Sequence, residues 1–154
     1  MREKLKSYNQ NYKIFGRKKG RKPIKNLNNE ILKKYLFNIS TDFFTKKIIL
    51  DIGSGNGENT LFLSQKYKNH LIVASEIYQD GNINLCKQLH NRKINNVKIF
   101  NQNVLLLLEE INLYNFIKEI WILFPDPWPK KKHNKRRLIN FNFVNKISVL
   151  LEKN

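Results

Sequence analysis

Four short apolar runs, each separated from the next by a stretch of helical spacing, leave this chain few folds to choose from. Lys47-Ile48-Ile49-Leu50-Asp51-Ile52, Leu71-Ile72-Val73-Ala74-Ser75, Val97-Lys98-Ile99-Phe100-Asn101 and Ile120-Trp121-Ile122-Leu123-Phe124 have strand length and are rich in β-branched or aromatic residues. Residues 58–67, 79–92 and 104–111 read as the helices between them. Ahead of the first strand, residues 28–37 put Ile31, Leu32, Tyr35 and Leu36 on one helical face, and residues 141–151 read as a last helix. Strands alternating with helices imply a parallel α/β sheet with right-handed crossovers. Such open sheets bind ligands past the carboxyl ends of their strands. The residues that follow each apolar run are therefore the candidate site.

The chain has 154 residues, 41% of them hydrophobic, enough for one domain with a real core. Its formal net charge of +17 favours polyanionic partners: RNA, DNA or an anionic membrane surface. The charge is uneven. Residues 1–25 carry Arg2, Lys4, Lys6, Lys13, Arg17, Lys18, Lys19, Arg21, Lys22 and Lys25 against a single acid, Glu3. Tyr8, Tyr12 and Phe15 interleave that cluster with stacking surfaces that a plain solubilising tail does not need. Residues 1–27 thus read as a basic arm, poorly ordered unless bound, ahead of a domain at 28–154. No apolar run approaches the length of a membrane span, and the basic start has no apolar stretch behind it to make a secretory signal. Cys86 stands alone, which excludes an internal disulfide and a cysteine zinc cluster. It reads as a small apolar helix residue in a reducing, cytoplasmic protein. No spacing of His, Cys, Asp and Glu suggests a metal site.

Two segments carry chemistry. The first is Asp51-Ile-Gly-Ser-Gly-Asn-Gly57, a glycine-rich turn between a strand and its helix. Glycines at Gly53, Gly55 and Gly57 permit positive φ and let a ligand press on the backbone. The spacing is G-x-G-x-G with an acid two residues earlier, which departs from the G-x-G-x-x-G pyrophosphate pattern. Glu76, at the end of the second strand, is placed to accept hydrogen bonds from both hydroxyls of a ribose. The second segment is Phe124-Pro-Asp-Pro-Trp-Pro-Lys-Lys-Lys-His-Asn-Lys-Arg-Arg137. It sets a proline-framed carboxylate, Asp126, and an aromatic ring, Trp128, directly before a cationic run. The first pair suits a flat polar ring and the run suits a phosphate backbone, a combination that a base within a nucleic acid requires. Trp128 either stacks on a splayed base or packs in the core, whereas Trp121, inside a strand, reads as core.

The glycine turn resembles the first motif of S-adenosylmethionine-dependent methyltransferases. With the Phe-Pro-Asp-Pro-Trp-x-Lys core and the His-Asn-Lys-Arg-Arg that follows, the chain resembles the bacterial tRNA (guanine-N7-)-methyltransferases of the TrmB type, from Phe15-Gly16-Arg17 to about Phe143. The resemblance implies a Rossmann-like class I fold and methyl transfer from S-adenosyl-L-methionine to N7 of guanine in the tRNA variable loop, at position 46 in tRNA numbering. It implies cofactor contacts from Asp51, Gly53, Gly55, Gly57, Glu76 and Asn103, with Asp126 as catalytic acid that also touches cofactor and substrate. It implies Lys130 as a substrate contact and Lys132, His133, Asn134, Lys135, Arg136 and Arg137 as RNA contacts. Two departures stand out. The family usually has Asp where this chain has Asn103. Family members also continue into strands bearing a Thr-Asp pair and a Thr-x-x-Glu motif, and this chain reaches Asn154 before either. Activity of these residues alone is therefore expected to be low. Two other readings fit the same residues: a non-catalytic RNA-binding relative, and an amino-methyltransferase with an Asp-Pro-Pro-aromatic type of motif, whose second proline is here Trp128. The chain is expected to act as a monomer or homodimer.

Overall fold

The computed structural model describes residues 15–20, 28–38, 47–110 and 117–152. The rest of the expected arm, with Tyr8 and Tyr12, lies outside those residues. Four parallel strands form one sheet in the order β3-β2-β1-β4. They are β1 (Ile48–Ile52), β2 (Leu71–Ser75), β3 (Val97–Phe100) and β4 (Ile117–Ile122). Helices α1 (Asn29–Tyr35), α2 (Glu58–Lys66), α3 (Gln79–Asn91), α4 (Val104–Glu110) and α5 (Phe141–Ser148) flank it. A 3-10 helix, Lys131–Arg136, joins β4 to α5.

β1 and β2 are buried at every position, as central strands covered on both faces must be. Side chains alternate between two cores. Ile48, Leu50, Ile52, Leu71 and Val73 meet Leu107 and Leu108 of α4 and Phe143 of α5. Ile49, Ile72 and Ala74 meet Leu61 and Leu63 of α2, Leu85, Cys86 and Leu89 of α3, and Tyr35 of α1. Cys86 sits in this second core, and burial pushes its thiol up to about 11. It is a packed apolar side chain, as expected of its place in a helix.

The fourth strand corrects one expectation. β4 begins at Ile117 and ends at Ile122, whereas the apolar run suggested residues 120–124. Leu123 and Phe124 leave the sheet, and Phe124 is 97% exposed. Phe124 takes a φ of 51° ahead of Pro125, which has no N–H to give a ladder. Lys118 and Glu119 hide the true start, because β4 borders the sheet and tolerates polar residues there. Trp121 is half-buried against the second core, and its Nε1 donates to Glu119 Oε2 at 3.0 Å. The last helix also stops early, at Ser148. Beyond it Leu151 forms a parallel bridge with Ile117, and Glu152 N donates to the Ile117 carbonyl at 2.8 Å. Lys47 pairs with Glu152 at the same end.

Candidate functional site

The strand order reverses between β1 and β4. In such sheets a crevice opens at that point, beyond the carboxyl ends. A cleft of about 710 Å³ lies there.

On its first side the glycine turn leaves β1. Gly53, Gly55 and Gly57 all have positive φ, at 74°, 55° and 90°. Gly53 N donates to the Ser75 carbonyl at 2.8 Å, tying the turn to β2. Among the described residues, a Cβ at Gly53 or Gly55 would meet nothing within 4 Å. Gly57 differs, since a Cβ on it would strike the Leu85 side chain at 2.5 Å. The turn is thus open toward the cleft and closed toward α3.

Asp51 sits behind this turn and outside the lining of the cleft. Its two oxygens accept from Asn59 Nδ2 at 3.0 Å and Thr60 Oγ1 at 2.6 Å. It thereby fixes the first turn of α2 to the end of β1. Burial is the main cause that raises its carboxyl above the ordinary aspartate range, opposed by those two hydrogen bonds. Glu76 lines the cleft. Its Oε2 accepts from Gly55 N at 2.9 Å, and its Oε1 from Ile77 N at 2.7 Å and Tyr78 N at 2.9 Å. Asn103 lines it as well. Its Oδ1 accepts from Leu105 N at 3.0 Å and so caps α4. Asn and Asp cap helices about equally well. The replacement noted in the sequence therefore preserves this local structure, leaving the amide NH₂ for other contacts.

The second side follows β4. Phe124, Pro125, Asp126 and Trp128 line the cleft, with Asp126 exposed at its lip. Trp128 has a φ of 39°, a left-handed geometry in a bulky residue. Its carbonyl accepts from Arg137 Nε at 3.3 Å and Arg137 Nη2 at 3.1 Å, and His133 meets its ring edge-on at 5.4 Å. The cationic run folds as the 3-10 helix, with His133 N donating to the Lys130 carbonyl at 2.8 Å. This splits the expected RNA-contact row. Lys135, Arg136 and Arg137 face the cleft, while Lys132, His133 and Asn134 do not line it, nor does Lys130.

The third wall comes from the arm. Phe15, Gly16 and Arg17 line the cleft, and the segment is anchored on α3. Gln79 N donates to the Lys18 carbonyl at 2.9 Å, and Gly20 N donates to Asp80 Oδ2 at 2.8 Å. These two hydrogen bonds tie residues 15–20 to the start of α3. The sequence offered Phe15 as a stacking surface, Arg17 as part of the basic cluster and Phe15-Gly16-Arg17 as the start of a resemblance, but nothing local ties the segment to Gln79 and Asp80. Tyr78, Leu138 and Asn140, also in the lining, carry no sequence signal at all.

Among the described residues no group of His, Cys, Asp and Glu could hold a metal ion, and no helix is long and apolar enough to cross a membrane.

Residues 45–154 match the model of a family described as "Putative methyltransferase". Among curated proteins the chain is similar to the tRNA (guanine-N(7)-)-methyltransferase of Neorickettsia sennetsu, at 38% identity over 102 residues, 66% of this chain and 46% of the relative. It is also similar to the tRNA (guanine-N(7)-)-methyltransferase of Wolbachia pipientis wMel, at 38% identity over 128 residues, 75% of this chain and 55% of the relative. The chain spans about half the length of the curated relatives it matches. In fold it resembles the solved structure of an antibiotic-related methyltransferase, with a TM-score of 0.54 at 17% identity over 75% of this chain and 58% of that one.

Proposed function

The chain belongs to this methyltransferase family, that of the tRNA (guanine-N7-)-methyltransferases, and from that premise we propose that its cleft serves S-adenosylmethionine-dependent methylation of guanine N7 in tRNA, at position 46 of the variable loop. The observation that carries this reading is that one cleft joins three things: an open glycine turn with Glu76, the Asp126–Trp128 turn, and the Lys135–Arg137 cations. A nucleoside-bearing cofactor, a flat base and a phosphate chain each find a matching wall.

S-adenosylmethionine, when bound, supplies a sulfonium methyl that is already activated. Gly53, Gly55, Glu76 and Asn103 would hold it, with Glu76 accepting from the ribose hydroxyls. Asp51 supports this set from behind by fixing α2 to the turn. Guanine N7 carries a lone pair in its neutral form, so no proton need leave before attack. The chain's work is alignment of the two reactants and exclusion of water. Asp126 accepts hydrogen bonds from the N1–H and amino edge of guanine. Its negative charge also favours the positive charge that builds on the ring. Lys130, Lys135 and Arg137 meet phosphates at the rim. Residues 28–154 make up the catalytic domain in this reading, and the basic arm of residues 1–27 contributes both charge and one wall of the cleft.

The test is methyl transfer to tRNA, with chemical cleavage at 7-methylguanosine to locate the product. Loss of positioning contacts can cost orders of magnitude in rate with the reacting groups intact. These 154 residues span about half the length of the curated relatives, and on their own they are expected to show low activity. Fusing the C-terminal half of the Wolbachia relative after Asn154 should raise it, and Asp126→Ala in that fusion should remove it. Methylation at another atom or base overturns the assignment.

A further inference from the structure

Arg136 lies in the cationic run, yet it is not turned out toward solvent with its neighbours. Its guanidinium carbon lies 5.3 Å from the centre of the Phe15 ring and 4.9 Å from the centre of the Trp128 ring. Its Nε is buried and has no hydrogen-bond partner among the described residues. The two rings come from parts of the chain more than a hundred residues apart, and both are fixed independently of the arginine. Phe15 is carried by the segment that Gln79 and Asp80 anchor. Trp128 is held by its left-handed backbone, by Arg137 on its carbonyl and by the edge of His133. All three side chains line the cleft that Asp126 borders.

We propose that Phe15 and Trp128 form an aromatic slot for the target base, and that Arg136 fills this slot until the base displaces it. The inference rests on the guanine-N7 reading above and names what holds the guanine there. A guanidinium is a flat cation that stacks on aromatic faces. The lone pair of N7 forms the new bond to the methyl carbon, the carbon–sulfur bond breaks with its electrons to sulfur, and the positive charge passes to the ring. The guanine therefore becomes a flat cation as it reacts. Aromatic faces attract cations more strongly than neutral rings, so the slot binds the base more tightly as charge develops, which is the condition for accelerating the chemical step. Asp126 acts on the edge of the ring and the slot acts on its faces. Displaced from the slot, Arg136 is released toward the phosphates beside it.

The experiment is equilibrium binding of 7-methylguanosine 5′-monophosphate and guanosine 5′-monophosphate to the full chain. It is followed by calorimetry, and by the fluorescence of Trp128 in a Trp121→Phe background. The methylated nucleotide is expected to bind about tenfold tighter and to quench Trp128. Phe15→Leu and Trp128→Leu should each erase the preference, while Phe15→Tyr should keep it. Arg136→Ala should tighten binding of the methylated nucleotide, because the competitor for the slot is gone. Equal affinity for the two nucleotides, a preference that survives Phe15→Leu, or weaker binding in Arg136→Ala each overturns the slot. Phe15 is partly exposed and Trp128 half-buried, and far-ultraviolet circular dichroism verifies that the variants fold. The slot is read from mononucleotide affinity and the proposed reaction from the position of the methyl group in tRNA. A chain that methylates N7 without discriminating the nucleotides loses the slot alone, and methylation elsewhere removes the reaction assignment.

Discussion

Glu76 accepts three backbone N–H groups, from Gly55, Ile77 and Tyr78. A carboxylate offers about four acceptor positions, so a ribose presenting two hydroxyls has to displace one of these donors. The Gly55 N–H is the one to yield, because it belongs to the open turn, whereas the Ile77 and Tyr78 amides adjoin Glu76 in the chain. Binding of the cofactor would then be coupled to a small movement of the glycine turn. Glu76→Ala removes a charged acceptor and is expected to weaken S-adenosylmethionine binding by about 10- to 100-fold, as measured by titration calorimetry. Binding unchanged in that variant would show that the ribose is held elsewhere. Asp51 is set apart from Glu76 by its surroundings. Its oxygens are engaged by Asn59 and Thr60 at the base of α2, and burial raises its carboxyl pKa. A carboxyl raised above its unfolded value favours the fold at low pH, and that contribution is lost as pH rises through the folded value. Burial thus makes the Asp51 carboxylate costly above that value, while its two hydrogen bonds hold α2 to the turn. Glu119 behaves in the opposite sense. The Tyr67 hydroxyl, 2.6 Å away, is the main cause that lowers its pKa, so its contribution is present above the usual glutamate range and fades as pH falls through the lowered value.

Helix α3 and the glycine turn are pressed together more closely than any side chain at Gly81 would allow. A Cβ there would collide with the Gly55 carbonyl oxygen and come within 3.0 Å of Tyr78 Cδ1. Alanine is the better helix former by about 1 kcal/mol, so propensity alone makes Gly81→Ala stabilising. The collision with backbone is expected to reverse that sign and to cost about 1–3 kcal/mol, with weaker cofactor binding because the turn is displaced. Urea denaturation gives the sign, with Gln79→Ala on the exposed side of the same helix expected to stay within about 0.5 kcal/mol of the parent. A stabilised Gly81→Ala chain would show that the turn moves freely. This packing explains what was legible beforehand and what was not. β1, β2 and β3 stand within a residue of their apolar runs because the sheet's cores demand unbroken or alternating apolar residues there. β4 is displaced by three residues at its start because Lys118 and Glu119 interrupt the pattern while Leu123 and Phe124 extend it falsely. The 3-10 helix at Lys131–Arg136 has no apolar periodicity to announce it. In the site, Glu76 and the Asp126–Trp128 turn could be read from position after a strand. Asp51 facing α2, and Arg136 meeting Phe15, depend on contacts that no local pattern encodes.

At the scale of the whole molecule the charge of +17 draws polyanions to the chain, and its placement decides its use. Arg17, Lys135, Arg136 and Arg137 line one cleft, so part of the excess converges on the site and is more than a solvated surface. Binding of tRNA through such contacts releases counterions, and log affinity should fall linearly with log salt. Each phosphate-contacting cation contributes about one to that slope. Lys135→Ala and Arg137→Ala should therefore each flatten it by about one. Arg136→Ala should flatten it comparably, because a base entering the slot releases the guanidinium to the phosphates beside it. The arm divides the same way. Deleting residues 1–14 removes Arg2, Lys4, Lys6 and Lys13 while sparing Phe15, Arg17 and the anchors at Lys18 and Gly20. That deletion is expected to flatten the salt slope and leave mononucleotide and S-adenosylmethionine affinities untouched. Deleting residues 1–25 takes the wall of the cleft as well, and should add loss of the preference for 7-methylguanosine 5′-monophosphate. Filter binding of tRNA across a salt series, run beside the nucleotide titrations, separates the two effects. An unchanged slope after the shorter deletion would mean that those four cations never reach the phosphates and serve only to keep the chain in solution.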